Sequence, residues 1–181
     1  MSNSRWLGLE SIKLGVVALS TLSDYMPSTF TTILNFVPDS AKLMIEIPDE
    51  VEILVEDSPD PDIVLSNGSL KKTVEFATRD MDSSSVLINA FGGSATGETY
   101  SFPTTSTSIR VKAIECITED VNGYHYKVQI PKANVRAGAE LRMYNTNPDT
   151  GEIGFQCTVQ KAVTTGGTAV APMRMARIAE S

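Results

Sequence analysis

Few residues in this sequence could support nucleophilic catalysis. Cys116 and Cys157 are the two cysteines, and His125 is the single histidine. A nucleophile needs a base and a group that orients the base, but His125 lies between two tyrosines on the polar side of an alternating segment. That position favours a surface or interface histidine. Cys157 falls on an apolar side, so we interpret both cysteines as small core or interface hydrophobes. We predict that the protein is not an enzyme.

An acidic tract is the other candidate for chemistry. Seven carboxylates lie between Asp49 and Asp62, and no Lys or Arg interrupts them. Asp57, Asp60 and Asp62 offer the hard oxygen ligands that calcium prefers. The spacing lacks the glycine and the terminal glutamate of a calcium loop, and two prolines stiffen the segment, so a solvated acidic loop is the favoured interpretation. Two cysteines without a nearby histidine do not make a zinc site. The sequence predicts no metal and no cofactor.

Length and charge narrow the class of protein. The chain has 181 residues and a formal charge of -7, which suits one domain with a sizeable core. The negative charge argues against a nucleic-acid binder, because neutralising phosphates needs a basic surface. No apolar run approaches the roughly 20 residues that span a bilayer, and the first ten residues lack the pattern of a signal peptide. We expect a protein of the cytoplasm with no membrane partner.

Most apolar residues alternate with polar ones, which is the periodicity of strands with two unlike faces. The alternating segments are Ile12–Val17, Leu43–Val55, Leu70–Phe76, Ile109–Ile117, Tyr124–Ile130, Ala139–Met143 and Ile153–Val159. The alternation shifts by one residue at Ala113-Ile114, which predicts a bulge. Asn122-Gly123 predicts a tight hairpin. A turn after Ile47 is predicted to pair the two halves of the second segment. The predicted fold class is mainly β, an antiparallel β-sandwich or small barrel.

One short stretch, Asp82 to Gly93, has helical spacing instead. Asp82 is predicted to cap the helix and Gly92 to end it in a left-handed conformation. Four apolar residues share one face, which suits a helix that covers an open sheet, and a fifth lies on the flank where a neighbouring subunit would cover it. These residues are Val86, Leu87, Ala90 and Phe91 on the face and Ile88 on the flank. A helix that only plugs one end of the sandwich fits the same pattern.

Two further segments show neither the alternation of a strand nor the spacing of a helix. Ser20–Thr32 is rich in Ser, Thr, Asp and Pro, which indicates a long loop in the region near residues 20–40. The chain beyond Ala162 is rich in small residues and contains two consecutive glycines, which indicates an arm. We predict a β domain over residues 1–165 and a C-terminal arm over residues 166–181.

The elements between about Leu70 and Met173 follow one another in a recognisable order. The stretches EFATRDMD, AFGG and YSFP come first, followed by the Asn-Gly hairpin, IPKANV, AELRMYN and GFQCTVQKAV. This series resembles bacteriophage tail tube proteins, also called major tail proteins. The resemblance implies a β-sandwich or small barrel with one flanking helix. It also implies six copies in a ring, with rings stacked into a tube through which the genome passes.

The resemblance implies roles for particular residues. The helix would pack against a neighbouring subunit through Val86, Leu87, Ile88, Ala90 and Phe91. The loop near residue 25 would bridge successive rings through Asp24, Tyr25, Met26 and Phe30. The implied partners are other copies of the chain and other tail proteins, such as sheath, terminator or baseplate proteins. DNA would cross the lumen without specific binding, and the protein would reside in the virion after assembly in the host cytoplasm.

A different class of function stays open at this point. A β-sandwich module of a phage fibre or baseplate that binds glycans or receptors would stack sugar rings on exposed aromatics. Trp6, Tyr124, Tyr126 and Tyr144 are the aromatics that such a site would use. Tyr124 and Tyr126 share an apolar strand face, which favours a core position for both.

Overall fold

The computed structural model describes residues 8–21, 23, 25–46, 49–53, 63–67, 70–81, 83–105, 110–120, 122–140 and 151–179. In chain order the elements are β1 (Leu9–Gly15), β2 (Phe30–Ile33), β3 (Lys42–Glu46), β4 (Asp49–Ile53), β5 (Ile63–Asn67), β6 (Lys71–Thr78), α1 (Ser84–Phe91), β7 (Ser94–Thr96), β8 (Thr99–Ser101), β9 (Arg110–Thr118), β10 (Tyr124–Glu140), β11 (Glu152–Val159), β12 (Ala162–Val163), β13 (Ala169–Val170) and β14 (Arg174–Ala179). The mainly β, antiparallel fold with one short helix is confirmed, and the described sheet does not close into a barrel.

Eight strands form the main sheet. Seven of them lie in the order β2-β1-β9-β10-β11-β6-β3, and β14 pairs with β10 beside this path. Three two-stranded pairs stand apart from it: β4 with β5, β7 with β8, and β12 with β13. The turn predicted inside Leu43–Val55 therefore does not pair its two halves with each other. Its first half pairs with β6 and its second half with β5, because each half finds its partner in the returning chain.

The long strand β10 pairs with strands in both halves of the sheet. Tyr124–Gln129 pairs with β14, and Ala133–Glu140 pairs with β11. Between these parts the register against β9 shifts after Ile130, at Pro131, which has no N–H to donate to a ladder. The predicted bulge is present in this region, but its extra residue lies in β10 and not in β9. Val111, predicted to share a buried face with Ala113, is 44% exposed.

A single main core joins the two halves of the sheet. Phe76 and Phe155 stack with ring centroids 4.6 Å apart, and Phe36 meets Phe76 edge-on at 6.2 Å. Ile12 and Ile114, from the other half of the sheet, are fully buried in the same cluster. Burial of large apolar side chains from both halves is the main favourable term in folding.

The helix begins one residue later than predicted. The Ser83 side chain accepts a hydrogen bond from the Val86 N–H at 3.4 Å, so Ser83 caps the helix, and Asp82 lies outside the described residues. The helix ends at Gly92, whose φ of 79° favours glycine. The Arg110 guanidinium donates to the Phe91 carbonyl at 2.6 Å and would collide with a side chain at position 92. The positive φ therefore favours glycine at position 92, and a side chain there would also displace the Arg110 guanidinium.

The C-terminal segment lies on the domain in the structure. β13 pairs with β12, and β14 pairs with the first part of β10. All six residues of β14 are exposed. The described part of residues 166–181, predicted as an arm, thus contributes an edge strand to the protein's own sheet.

Candidate functional site

The helix α1 presents only part of its predicted interface to solvent. Val86 is 0% exposed and Ala90 is 6% exposed, and both belong to the main core. Leu87 and Phe91 are half-buried and pack against that core. Ile88 is 37% exposed. Of the five residues predicted for a subunit interface, three therefore retain surface that another molecule can contact.

Aromatic residues extend this exposed surface beyond the helix. Phe102 is 66% exposed, and its ring centroid lies 5.7 Å from that of Phe91. Tyr100 meets Phe102 edge-on at 4.9 Å, and its hydroxyl donates to the Gly92 carbonyl. We call Leu87, Ile88, Phe91, Tyr100 and Phe102 the helix patch. Sequence periodicity gave no role to Phe102, because a single phenylalanine after a three-residue strand has no repeating neighbours to mark its face.

The loop predicted to bridge rings is held by its own domain. Tyr25 is 5% exposed, and its hydroxyl donates to the Ala171 carbonyl at 2.9 Å. The Arg174 guanidinium lies 3.7 Å from the centre of its ring. Burial raises the pKa of Tyr25, against the opposing effect of Arg174. Met26 packs on the same small cluster, Phe30 begins β2, and Asp24 lies outside the described residues. Tyr25 thus ties this loop to the C-terminal segment.

A buried carboxylate lies on the sheet face away from the main core. Glu115 is 7% exposed, accepts from the Gln129 amide at 2.9 Å and pairs with Lys13 at 3.2 Å and Lys127 at 3.9 Å. Burial raises the pKa of its carboxyl, but the hydrogen bonds from Gln129 and Lys13 and the charge of Lys127 outweigh burial, so the pKa lies below its usual range. This ion network satisfies the buried charge, as a structural role requires.

His125 and the tyrosines beside it are engaged in the fold. The His125 Nδ1 lies 2.9 Å from the Thr118 carbonyl oxygen and 3.4 Å from a Glu10 carboxylate oxygen. The Arg177 guanidinium lies 3.4 Å from the centre of the Tyr124 ring. A sugar that stacked on this face of Tyr124 would have to displace the guanidinium. Trp6 and Tyr144, the other aromatics considered for glycan binding, lie outside the described residues.

The two cysteines are core residues, as predicted. Cys157 is 0% exposed and Cys116 is 8% exposed. Burial raises the pKa of the Cys116 thiol to about 12 and also raises that of Cys157. The reactive thiolate is therefore scarce at neutral pH.

We predict that both thiols react slowly in the folded protein. At pH 8 a thiol with a pKa of about 12 is ionised about a thousandfold less than one with the usual value of about 8.5. Ellman's reagent should label the native chain at least about a thousandfold more slowly than the urea-unfolded chain, in which both cysteines are accessible. Labelling of native protein at the unfolded rate would contradict the core assignment.

Metal and membrane sites find no support in the described part of the chain. No group of three or more His, Cys, Asp or Glu side chains there could hold a metal ion. Among the same residues, no helix has the length and apolar character needed to cross a bilayer.

No protein-family model matches the sequence, and no curated protein is significantly similar to it. The surfaces of the described structure are therefore the basis for a proposed function.

Three strands of the main sheet have an outer edge that pairs with no other strand in the described residues: β2, β3 and β14. Such edges expose unpaired N–H and C=O groups that can hydrogen bond with another chain. The β14 edge is accessible along its whole length, since all six residues are exposed. In the described part of the chain, the free edges and the helix patch are surfaces suited to binding protein.

Proposed function

We propose that this protein is a structural subunit that assembles with copies of itself into rings and tubes, and that the tube is the tail tube of a bacteriophage. The resemblance in the order of the elements supplies the phage assignment. The observation that carries the proposal of self-assembly is the set of free strand edges at both ends of the described sheet. A strand added to such an edge gains main-chain hydrogen bonds.

The helix patch supports the same proposal. Ile88 and Phe102 are exposed, and Phe91 packs against both the core and the Phe102 ring. A neighbouring subunit that covered this patch would remove apolar surface from water, at roughly 25 cal/mol per Å². A stable contact between subunits needs about 1,000 Å² or more of buried surface in total. We propose that the patch and one strand edge together supply it.

The distribution of charge fits a channel that DNA crosses without adhering. Seven of the 22 carboxylates lie between Asp49 and Asp62, which contains no Lys or Arg, and the other fifteen balance the fifteen Lys and Arg residues of the chain. The whole net charge thus resides in this tract. If the tract lines the lumen, it repels DNA over about 8 Å in physiological salt. Other tail proteins, such as sheath, terminator or baseplate proteins, are the further partners in this proposal.

Electron microscopy of purified protein tests the proposal. We expect negative-stain images to show rings or tubes with a central channel, and sedimentation velocity to show assembly that increases with protein concentration. Addition of duplex DNA should leave both unchanged at physiological salt. A protein that stays monomeric at about 100 μM, near the weak end of specific association, would rule the proposal out.

A further inference from the structure

An apolar cleft of about 270 Å³ opens between the β3–β6 pair and strands β1, β9, β10 and β14. Leu9, Leu43, Val128 and Met175 are among its lining residues. Met175 is 59% exposed, so the cleft is open to water on the β14 side. Apolar concavities of this kind commonly bind apolar partners.

Free backbone lies beside this cleft. β3 and β14 each contribute a lining residue, and each has an outer edge without a strand partner in the described residues. An extended segment can therefore hydrogen bond to a strand edge while its alternate side chains enter the cleft, which is the usual mode of strand addition. The cleft can therefore receive the side chains of an added strand.

The charges around the cleft favour an acidic partner. Among the described residues that line the cleft, Lys42 is the only charged one, and its ammonium pairs with Glu75 at 2.8 Å. Arg177 stands opposite Tyr126 in the β10–β14 ladder, and Tyr126 also lines the cleft. An acidic segment with alternating apolar residues would therefore meet the positive charge of Arg177 beside the cleft and apolar contacts inside it.

The chain itself contains a segment with these properties. β4 and β5 form a two-stranded ribbon in which Val51 pairs with Leu65 and Ile53 pairs with Ile63. The ribbon contains the first acidic residues of the tract that carries the net charge of the chain. A two-stranded ribbon is at best marginally stable in water without a third strand or a packing surface. A partner strand or a packing surface would stabilise it.

The position of the ribbon in the chain points to a second molecule. The ribbon continues the β3–β6 hairpin, since Glu46 pairs with Lys71 and Asp49 pairs with Asn67. It therefore extends from the end of β3, whereas the cleft is lined by residues at the start of that strand. We propose that the apolar cleft binds the β4–β5 ribbon of a second copy of this chain. This inference rests on the proposed self-assembly and identifies a contact within it.

Mixed-chain disulfide formation tests the contact. One chain carries Met175→Cys and another carries Val51→Cys, so any disulfide between the new thiols joins two molecules. The control replaces Met175→Cys by Ile178→Cys. Ile178 lies on the same strand and is 36% exposed, but it stands three residues away and so falls on the other face. We expect the first mixture to give at least about ten times more disulfide-linked heterodimer than the control.

Charge substitution gives a second measurement. Met175→Glu places a carboxylate at the cleft, where it repels the acidic ribbon, and should weaken self-association at least about tenfold. Val111→Glu adds the same charge to β9, an inner strand of the main sheet, at a residue that does not line the cleft, and should change self-association less than twofold. Both residues are exposed, so both variants should unfold at the wild-type temperature.

The outcomes separate this inference from the proposed function. If the wild-type protein forms rings or tubes but the Met175→Cys mixture gives no more heterodimer than the Ile178→Cys control, the inference is wrong and self-assembly stands. If Met175→Glu and Val111→Glu assemble equally well, the inference is also wrong. If the wild-type protein stays monomeric, the inference and the proposed function both fail.

Discussion

A double variant, Ile88→Asp with Phe102→Asp, is expected to fold normally and to lose self-association by about a hundredfold or more. Both side chains belong to the helix patch, and they are 37% and 66% exposed. Burying a new carboxylate without a partner costs several kcal/mol, and each 1.4 kcal/mol corresponds to a tenfold change in affinity. Loss of about 3 kcal/mol from one contact therefore removes the assembled state at micromolar concentration.

Sedimentation velocity over a range of concentrations measures this loss, and urea unfolding checks that the variant is folded. Val111→Asp is the matched control, because Val111 is also β-branched and is 44% exposed but lies on the inner strand β9, outside the helix patch. Wild-type assembly by a folded double variant would show that the helix patch faces solvent in the tube. The free strand edges would then have to supply the contacts alone.

The sequence predicted the local features of this fold well. Alternating segments became strands, and Asn122 and Gly123 adopt φ angles of 60° and 78° in the predicted hairpin. The helix lies where its spacing placed it and ends at the predicted glycine. These features depend on residues close in sequence, where side-chain periodicity and backbone preference act directly.

The pairing of distant strands was not predictable in the same way. β14 pairs with β10 although all its residues are exposed, so no buried face marks it as a strand. β10 continues through Pro131 because the missing N–H falls at the bulge, whereas the sequence predicted separate strands on either side. In both places the pairing is decided by strands far away in the chain.

The candidate site was predicted only in part, for a related reason. Helical spacing finds the apolar face of α1 but does not tell whether that face contacts the protein's own core or another molecule. In the structure Val86 and Ala90 are in the core, and Ile88 is at the surface. The contribution of Phe102 becomes visible only when the chain after β8 brings its ring beside Phe91.

The helix thus contains two neighbouring positions with opposite expected effects. Val86→Asp should unfold the domain, because Val86 is 0% exposed and lies in the main core. A buried charge without a partner costs several kcal/mol, which is comparable with the roughly 5–15 kcal/mol that stabilises a domain. We expect a loss of at least about 4 kcal/mol, seen in circular dichroism during urea unfolding, and mostly insoluble protein at 37 °C.

Comparison with the single variant Ile88→Asp makes this result informative. The two substitutions add the same charge to the same helix two residues apart, so they share any effect on helix propensity and differ in burial. Ile88→Asp should unfold within about 0.5 kcal/mol of wild type, as surface substitutions usually do. If Val86→Asp instead gave a stable monomer that failed to assemble, Val86 would contact a neighbouring subunit and would not belong to the main core. If Val86→Asp unfolds and Ile88→Asp does not, the inner face of α1 packs against the core of its own domain. Only the outer face of the helix is then available to a second molecule.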